Sequence, residues 1–415
     1  MGEYKIGDMK NVFYAQSGGV TSVINSSAFG LFSELKDKAP GSDIYVGRNG
    51  IVGLIENEVY DLSKSTRPLE LLLESPGGMF GSCRYKLPDI EEEEFYQDLF
   101  ENLEKYSIGH FFYNGGNDSA DTCLKISEAA KKLNYPLSAI AIPKTIDNDL
   151  AVTDNSPGFG SAAKYVATSV KEASLDVKSM CDTSTKVFIL EVMGRHAGWI
   201  AAAAELANDD KNTYVHKILI PEVPFDADAF LDGVKRDVEE YGYSVIVASE
   251  GLKDEDGEFY TASNKKDSFG HSQLGGLAPK LANLISERFE FKHHWAVSDY
   301  LQRSARHIAS ETDIQQAISV GRAAANMALD GKTGSMPIIC RESNDPYEWS
   351  IKEAGLIHIA NKEKTVPLDF ISEDGFRIRK EGVEYLKPLI MGESYPRYRD
   401  GVPYYEPLDL HLSEN

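Results

Sequence analysis

Acidic, amide, hydroxyl and ammonium groups crowd into residues 144–149, where the sequence reads Lys-Thr-Ile-Asp-Asn-Asp. This stretch follows the apolar run of residues 139–142 and Pro143, a pattern that predicts a buried strand leading into a polar loop. Open parallel sheets bind their ligands in the crevice outside the carboxyl ends of the strands. Residues 144–149 are therefore our candidate catalytic loop. The alternative is an Asx-rich turn that only hydrogen-bonds its own backbone.

Glycine turns follow two further β-prone runs. Residues 11–15 precede Ser17-Gly18-Gly19, residues 109–113 precede Gly115-Gly116-Asn117-Asp118, and a helix-compatible segment follows each turn. Such a unit can hold phosphate, because glycines let the backbone approach and a helix N-terminus presents free N–H groups. Neither turn matches the GxGxxG or GxxxxGKS/T phosphate loops. Structural turns without a ligand, the second capped by Asp118 or Ser119, therefore stay open as alternatives.

Four other polar residues follow glycine-rich or β-prone stretches. Arg84 ends a glycine-rich loop, and its planar guanidinium suits bidentate binding of a phosphate, although a solvated surface arginine is the alternative. Arg195 and His196 follow the predicted strand at residues 185–191, and Glu250 follows a later strand. For His196 we favour a packed or solvent-bonded histidine over a general base.

Zinc sites and disulfide frameworks are not indicated. His293 and His294 form a pair, yet no acidic residue or cysteine stands at a spacing that would complete a zinc site. The four cysteines lie far apart in the sequence and include no CxxC pair. This pattern predicts reduced thiols.

Composition argues against polyanionic and membrane partners. The 415 residues include 43 Lys and Arg against 65 Asp and Glu, a formal net charge of −22. Nucleic acids and anionic membranes need a basic surface. No apolar stretch has membrane-spanning length, and the N-terminal residues lack a signal-peptide pattern. We therefore expect a cytoplasmic protein with no nucleic-acid and no membrane partner.

Predicted strands and helices alternate along the chain without a fixed repeat, which indicates an α/β protein with parallel sheets. The length suggests two or three domains. The Gly-Pro region at residues 156–160 predicts a crossover between domains. Residues 343–415 are rich in Pro, Tyr and charge, and we interpret them as a surface extension.

In their order, the motifs resemble those of 6-phosphofructokinases and, within that family, the pyrophosphate-dependent branch. They cover about residues 11–340, and the ordered set is highly specific although each motif alone is modestly so. The matching motifs are Ser17-Gly18-Gly19, Gly81-Ser82-Cys83-Arg84, Gly115-Gly116-Asn117-Asp118-Ser119, Pro143-Lys144-Thr145-Ile146-Asp147-Asn148-Asp149, Met193-Gly194-Arg195-His196-Ala197-Gly198, Ser249-Glu250-Gly251 and Gln302-Arg303.

The resemblance implies reversible, Mg²⁺-dependent transfer of a phosphoryl group from pyrophosphate to the 1-hydroxyl of fructose 6-phosphate. It also implies two Rossmann-like domains with mostly parallel sheets and an active site in the cleft between them. On this basis we expect a pyrophosphate domain at residues 1–157 and a sugar-phosphate domain at 158–304. A return segment at 305–342 and the C-terminal extension at 343–415 complete the expected organisation.

The resemblance assigns roles to individual residues. Asp147 would take the proton of the 1-hydroxyl, a task that contributes about 10²–10⁴-fold in rate. The implied catalytic residues are Asp147, Thr145, Asp149 and Arg195. The implied donor-binding residues are Gly18, Gly19, Arg84, Asn117, Asp118 and Lys144. The implied sugar-phosphate residues are Thr145, Asp147, Lys186, Met193, Gly194, Arg195, Glu250, Tyr300 and Arg303. Asp118 is implied as a ligand of Mg²⁺, with Asn117 as a second candidate.

Several positions depart from the family pattern. Asn117 stands where much of the family has an Asp that helps to hold magnesium. Lys186 and His294 stand at or near the places of arginines that reach the neighbouring subunit's sugar phosphate, and Tyr300 replaces a pocket histidine. Because such a site is built across subunits, the resemblance implies a homodimer or homotetramer.

Asp118 and Lys144 decide the expected phosphoryl donor. ATP users of the family have Gly at both positions. Here a carboxylate would repel an α-phosphate, and an ammonium would neutralise the leaving phosphate. The rival interpretations are an ATP-dependent enzyme of the same fold and a non-catalytic paralogue that binds sugar phosphate and regulates a partner. Sedoheptulose 7-phosphate stays open as a further acceptor.

Overall fold

The structure is a computed structural model, and it describes residues 10–266 and 272–414. The strands are β1 (Asn11–Gln16), β2 (Ile44–Gly47), β3 (Val59–Asp61), β4 (Ile108–Gly115), β5 (Ser138–Pro143), β6 (Val187–Val192), β7 (Lys217–Leu219), β8 (Ser244–Ser249), β9 (Ala262–Lys266), β10 (Ser272–Leu274), β11 (His293–Val297), β12 (Ser335–Asn344), β13 (Tyr347–Gly355), β14 (Tyr398–Arg399) and β15 (Val402–Pro403). The α-helices are α1 (Ile24–Lys38), α2 (Val52–Ile55), α3 (Leu71–Glu74), α4 (Glu93–Lys105), α5 (Asn117–Lys132), α6 (Phe159–Met180), α7 (Trp199–Ala202), α8 (Ala227–Tyr241), α9 (Leu277–Arg288), α10 (Leu301–Ser304), α11 (Glu311–Leu329) and α12 (Lys380–Leu386).

A seven-stranded sheet with the strand order β13-β12-β5-β4-β1-β2-β3 organises the first half of the molecule. Its central strands pair in parallel, and the edge strands β3 and β13 run antiparallel to their neighbours. Successive side chains of a strand point to opposite faces, and both faces are buried. Phe13 packs with Leu99 of α4 on one face, and Val12 packs with Leu31 of α1 on the other. Helices on both faces explain the continuous apolar runs of these strands.

A four-stranded parallel sheet with the order β11-β6-β8-β7 organises the second half. Val245 packs with Val166 of α6 on one face, and Ile246 packs with Leu281 of α9 on the other. The two sheets confirm the predicted α/β class with mostly parallel strands. Within the described ranges, no helix combines the length and the apolarity needed to cross a membrane.

The last part of the chain, predicted as a surface extension at residues 343–415 that wraps the body, packs into the cores of both halves. The predicted boundary falls inside β12, and β12 and β13 extend the seven-stranded sheet beyond β5. Leu356 and Ile359 pack into the core of the first half, whereas Val366 and Leu386 pack into that of the second. The average composition of this segment hid these residues, because single apolar positions stand between prolines and charged residues.

Asp313 of α11 fixes the start of α6. This carboxylate is buried, and it accepts hydrogen bonds from the backbone N–H of Gly158 (2.9 Å), the backbone N–H of Ser161 (2.9 Å) and the Ser161 hydroxyl (2.6 Å). Burial raises the pKa of Asp313 to about 6, because the charged form is poorly solvated there. The bonds tie α11 to the segment that connects the candidate catalytic loop with α6.

We expect Asp313→Asn to lower the free energy of unfolding by about 1–3 kcal/mol, because an amide NH₂ would replace one acceptor and face N–H or O–H donors. Urea and thermal unfolding of the purified variant would measure the loss. Asp330→Asn, at the exposed end of the same helix, is the matched control and should change stability by less than about 0.5 kcal/mol. Equal stability of Asp313→Asn and the wild type would contradict this role.

Candidate active site

A cavity of about 540 Å³ lies between the carboxyl ends of strands from the two sheets. Of the predicted donor-binding residues, it is lined by Gly18, Gly19, Arg84, Asn117, Asp118 and Lys144. Thr145, Asp147 and Asp149 of the candidate catalytic loop, residues 144–149, line it as well. The opposite wall contains Met193, Arg195, Glu250, Tyr300 and Arg303. The fold thus gathers into one cleft residues that lie far apart in the sequence, as expected for open parallel sheets.

The first glycine turn, Ser17-Gly18-Gly19, which is the predicted donor turn, is held by the glycine-rich loop that ends at Arg84. The Gly18 N–H donates to the Cys83 carbonyl (2.9 Å), and the Ser82 hydroxyl donates to the Gly18 carbonyl (2.8 Å). Gly18 has a φ of +74°, a left-handed conformation that favours glycine. The two loops therefore form one unit that presents backbone to the cavity.

Lys144 joins this donor turn to the end of β5. Its side chain is only 3% exposed, and its Nζ donates to the carbonyls of Ser17 (2.9 Å) and Gly19 (2.6 Å). Burial, together with the nearby guanidinium groups of Arg303 and Arg84, lowers the pKa of Lys144 to about 7. A buried ammonium carries three donors, so an anionic ligand in the cavity would both accept from this group and favour its charged form.

The catalytic loop is kept in shape by its own side chains and by the start of the next helix. The Thr145 hydroxyl oxygen accepts from the Asp147 N–H (3.0 Å), and the Thr145 N–H donates to the Pro157 carbonyl (3.2 Å). Asn148 has a φ of +54° and is buried, and its side-chain oxygen accepts from the Ser156 N–H (3.0 Å). The loop therefore does more than bond its own backbone, which was the alternative interpretation.

The two acidic groups of the loop lie in a charged environment. Burial raises the pKa of Asp147, and the neighbouring Glu250 adds to this shift, while Lys144, Arg195 and Arg303 oppose it. Burial also raises the pKa of Asp149, with the Asp147 charge as the second cause. The Oδ1 atom of Asp149 is buried and has no hydrogen-bond partner among the described residues. At the cavity, such an acceptor is available to a water molecule, a metal ion or a substrate group.

On the opposite wall, two loops pack closely enough to require glycine. Gly194 has a φ of +135°, and the Ser249 hydroxyl donates to its carbonyl (2.6 Å). A Cβ atom at Gly251 would overlap the carbonyls of Gly194 and Arg195. This packing places Arg195 next to Glu250. Burial raises the pKa of Glu250, and Arg195 partly offsets the shift.

Arg303 extends across the cleft. Its guanidinium lies 3.9 Å from the ring centre of Tyr300, in a cation–π contact. Its Nη1 atom lies so close to Gly19 that a Cβ atom there would overlap it. Arg303 is thus placed between the sugar-phosphate wall on which it was predicted and the donor turn.

The single chain does not bring the predicted site residue Lys186 to the cavity. Lys186 directly precedes β6, whereas Met193 and Arg195 follow the opposite end of this strand. At about 3.3 Å per residue, the strand separates the two ends by roughly 20 Å. His294 is exposed on the edge strand β11 of the same sheet. Gly194 shapes the wall through its backbone and is not part of the cavity lining.

Sequence reasoning missed Asn361 and Glu363, which also line the cavity. They belong to the segment that was interpreted as a surface extension, and no motif around them signals a site. The Asn117 side-chain oxygen accepts from the Asn361 N–H (2.6 Å), and its amide donates to the Lys362 carbonyl (2.6 Å). Asn117 therefore anchors this segment, which gives no support to its predicted role as a metal ligand. His196 lines the cavity and packs edge-on against Phe259.

The same segment supports the catalytic loop from behind. The Lys364 N–H donates to the Asp149 carbonyl (2.7 Å), and the Lys364 Nζ donates to the carbonyls of Thr153 (3.1 Å) and Asp154 (2.6 Å). The Tyr385 hydroxyl accepts from the Asn148 amide (2.9 Å). The C-terminal part of the chain thus helps to fix the backbone that carries Asp147 and Asp149.

The cavity fits a divalent cation that is held largely by its substrate. Within residues 10–266 and 272–414, no cluster of three or more His, Cys, Asp or Glu side chains could hold a metal by itself. Asp118 and the unpaired Asp149 oxygen do face the same cavity. Mg²⁺ is commonly bound through one or two carboxylates and substrate phosphates, so these two groups fit such an ion.

Comparison with known proteins agrees with this arrangement. A family model described as phosphofructokinase matches residues 11–328. A pyrophosphate–fructose 6-phosphate 1-phosphotransferase of Halomonas elongata is 52% identical over 408 residues, 97% of each chain. A protein of the same name from Methylococcus capsulatus is 53% identical over 95% of each chain. The crystal structure of a pyrophosphate-dependent phosphofructokinase from Nitrosospira multiformis superposes with a TM-score of 0.91, at 48% identity over 98% of each chain. The chain therefore belongs to the phosphofructokinase family, as its motifs indicated, and it matches pyrophosphate-dependent members over nearly its whole length.

Proposed function

We propose that this protein transfers a phosphoryl group reversibly from pyrophosphate to the 1-hydroxyl of D-fructose 6-phosphate, giving fructose 1,6-bisphosphate and phosphate. The observation that carries the proposal is the buried Lys144 ammonium against the donor turn, in the same cavity as Asp118 and Asp147. The positive charge of Lys144 matches the negative charge of a phosphate donor at this place. The Asp147 carboxylate in the same cavity can accept a proton.

Asp147 acts as the general base. Its raised pKa gives it more affinity for a proton than an exposed carboxylate has, which suits proton transfer near neutral pH. The 1-hydroxyl loses its proton to Asp147 as its oxygen bonds to the nearer phosphorus, and the bond from this phosphorus to the bridging oxygen breaks. Because phosphoryl transfer has a loose transition state, the other residues act mainly by positioning and charge neutralisation.

We assign roles to the remaining residues according to the wall of the cavity on which they lie. Lys144, Arg84 and the turn at Gly18 and Gly19 hold the donor, and Asp118 repels the α-phosphate of a nucleotide. Thr145 holds the backbone N–H of Asp147 and so orients the base. On the opposite wall, Met193 and Glu250 contact the sugar, Arg195 stabilises the migrating phosphoryl group, and Arg303 binds the 6-phosphate.

We assign Mg²⁺ to the donor end of the cavity, where Asp118 and Asp149 would hold it. Members of this family generally use a divalent metal. When bound, the ion neutralises charge on the phosphate oxygens. Asp149 contributes an oxygen that the described residues leave without a partner.

We further propose that the sugar-phosphate site is completed by a second copy of this chain, in a homodimer or a homotetramer. Lys186 does not reach its own cavity, and His294 is exposed on an edge strand. The same strand exposes Trp295 (47%) and Val297 (42%) on one face, and large exposed apolar side chains side by side favour an interface. Unpaired strand edges also favour pairing with another chain.

The function is tested in a coupled assay that compares pyrophosphate with ATP as the donor for fructose 6-phosphate. We expect turnover with pyrophosphate, and we expect Asp147→Asn to lower kcat by at least about a hundredfold with little change in either KM, because proton removal matters in the transition state. Asp182→Asn on the surface is the matched control. A wild type that prefers ATP would overturn the donor assignment. Inactivity with both donors would support a regulatory paralogue instead of an enzyme. Near-normal turnover of Asp147→Asn would contradict the assignment of Asp147 as the general base.

The assignment of Arg303 to the 6-phosphate is tested by comparing the effects of its substitution on the KM values for the two substrates. We expect Arg303→Ala to raise the KM for fructose 6-phosphate by about ten- to a hundredfold, since a charge-assisted hydrogen bond contributes about 1.5–3 kcal/mol. The KM for pyrophosphate should change much less. Arg236→Ala, at an exposed position of α8, should leave both constants unchanged. An effect confined to pyrophosphate would place Arg303 at the donor, as its position near Gly19 also allows.

The shared site is tested by mixing two variants that we expect to be impaired, one in each of the two residues that would meet in the shared site. If Lys186 serves the neighbour's cavity, a mixed dimer of Asp147→Asn and Lys186→Ala chains contains one site with both native residues. Random mixing after dissociation and reassembly should then restore about a quarter of the wild-type activity. Reassembled samples of each variant alone provide the control. A mixture no more active than the average of its parents, or a fully active monomer in sedimentation, would contradict the shared site.

A further inference from the structure

Residues 361–364, which we name the C-terminal strap, run between the catalytic loop and the start of α5. At one end, Glu363 forms a β-bridge with Leu150, and the Lys364 N–H donates to the Asp149 carbonyl (2.7 Å). At the other end, the Asn117 side chain bonds the backbone of the strap through both of its polar atoms, each at 2.6 Å. The strap is therefore held at both of its ends, by the catalytic loop and by the start of α5.

The strap also covers a face of the first turn of α5. The Asn361 amide donates to the Asp121 carboxylate (2.9 Å), and the Asn361 N–H donates to Asn117. Asn117 and Asp121 are four residues apart and so share one face of the helix. Asn361 and Glu363 complete the cavity wall beside Asp118 at this point.

We propose that the C-terminal strap is a determinant of donor specificity, which closes the donor side of the cavity to nucleotides and leaves room for pyrophosphate. The inference rests on the proposed function and adds to it a specificity element outside the catalytic loop and the glycine turns. A nucleoside triphosphate is longer than pyrophosphate by a phosphate and a nucleoside. The strap occupies the helix face next to the donor site, where this extra length would need space.

Charge acts in the same direction as shape. A helix N-terminus attracts anions through its free N–H groups, so an uncovered first turn of α5 would favour an additional phosphate. Here the strap brings the Glu363 carboxylate to the cavity that already contains Asp118. A carboxylate at the place that the extra phosphate of a nucleotide would occupy repels the nucleotide, whereas pyrophosphate does not extend to that place, and such repulsion of a competitor is one way to set specificity.

The position of the strap in the chain supports a role in specificity that is separate from the catalytic groups. The phosphofructokinase family model matches residues 11–328 and so ends before the strap. The phosphate turns, the catalytic loop and the sugar-phosphate wall all lie inside the matched region. The strap thus adds a wall to a site whose reacting groups the family scaffold already supplies.

The test measures binding of ATP with Mg²⁺ by titration calorimetry, which does not depend on turnover. Asn117→Ala removes both bonds that hold the strap to α5, and we expect ATP to bind at least about tenfold more tightly than to the wild type. Glu363→Gln keeps the shape of the strap and removes one charge, and we expect a tightening of about threefold or more. Glu381→Gln, an exposed position on α12, removes the same charge elsewhere and should have no effect.

Tighter ATP binding by both strap variants, relative to the wild type and to Glu381→Gln, would support the proposal. Unchanged ATP binding by Glu363→Gln would overturn it, and so would unchanged binding by an Asn117→Ala protein with a normal unfolding transition. If Asn117→Ala does not fold, Glu363→Gln decides. Failure of the wild type to use pyrophosphate would reject the proposed function instead, and the calorimetry would still decide the role of the strap.

Discussion

The active site depends on one buried charge, the ammonium of Lys144. Its bonds to the carbonyls of Ser17 and Gly19 connect the end of β5 to the turn after β1. Burying an ammonium is costly unless polar partners compensate, and the lowered pKa of about 7 reflects this cost. An anionic ligand would compensate the cost of burying this ammonium. The proposed donor, an anion, would therefore stabilise the same charge that joins the two loops.

Opposite charges surround this centre and balance one another across the cleft. The acidic groups of Asp147, Asp149 and Glu250 have raised pKa values because burial disfavours their ionised forms. Arg195 and Arg303 oppose the shift of Asp147. Such preorganised charge is effective in catalysis because it needs little rearrangement when charge moves between oxygens. It also makes the cleft sensitive to the exact place of each loop.

The loops owe their places to packing that is remote from the chemistry. Asp313 holds the start of α6 from α11, and Lys364 and Tyr385 hold the catalytic loop from the C-terminal segment. These contacts join residues more than 150 positions apart in the chain. A positioning scheme of this kind is what phosphoryl transfer requires, since most of its rate enhancement comes from alignment and charge.

The sequence by itself determined the fold class and most of the site, because both leave local signals. Apolar runs of strand length that end in Gly18-Gly19, in Gly115-Gly116 or in residues 144–149 identify the elements and the loops at their ends. Only the tertiary structure decided that Asn117 anchors residues 361 and 362, that Arg303 crosses to Gly19, and that Lys186 lies away from its own cavity. The strap and the packing after β12 were hidden for the same reason. Their apolar and polar residues follow no local period, and their partners lie on strands and helices hundreds of residues earlier, so only the folded chain brings them together.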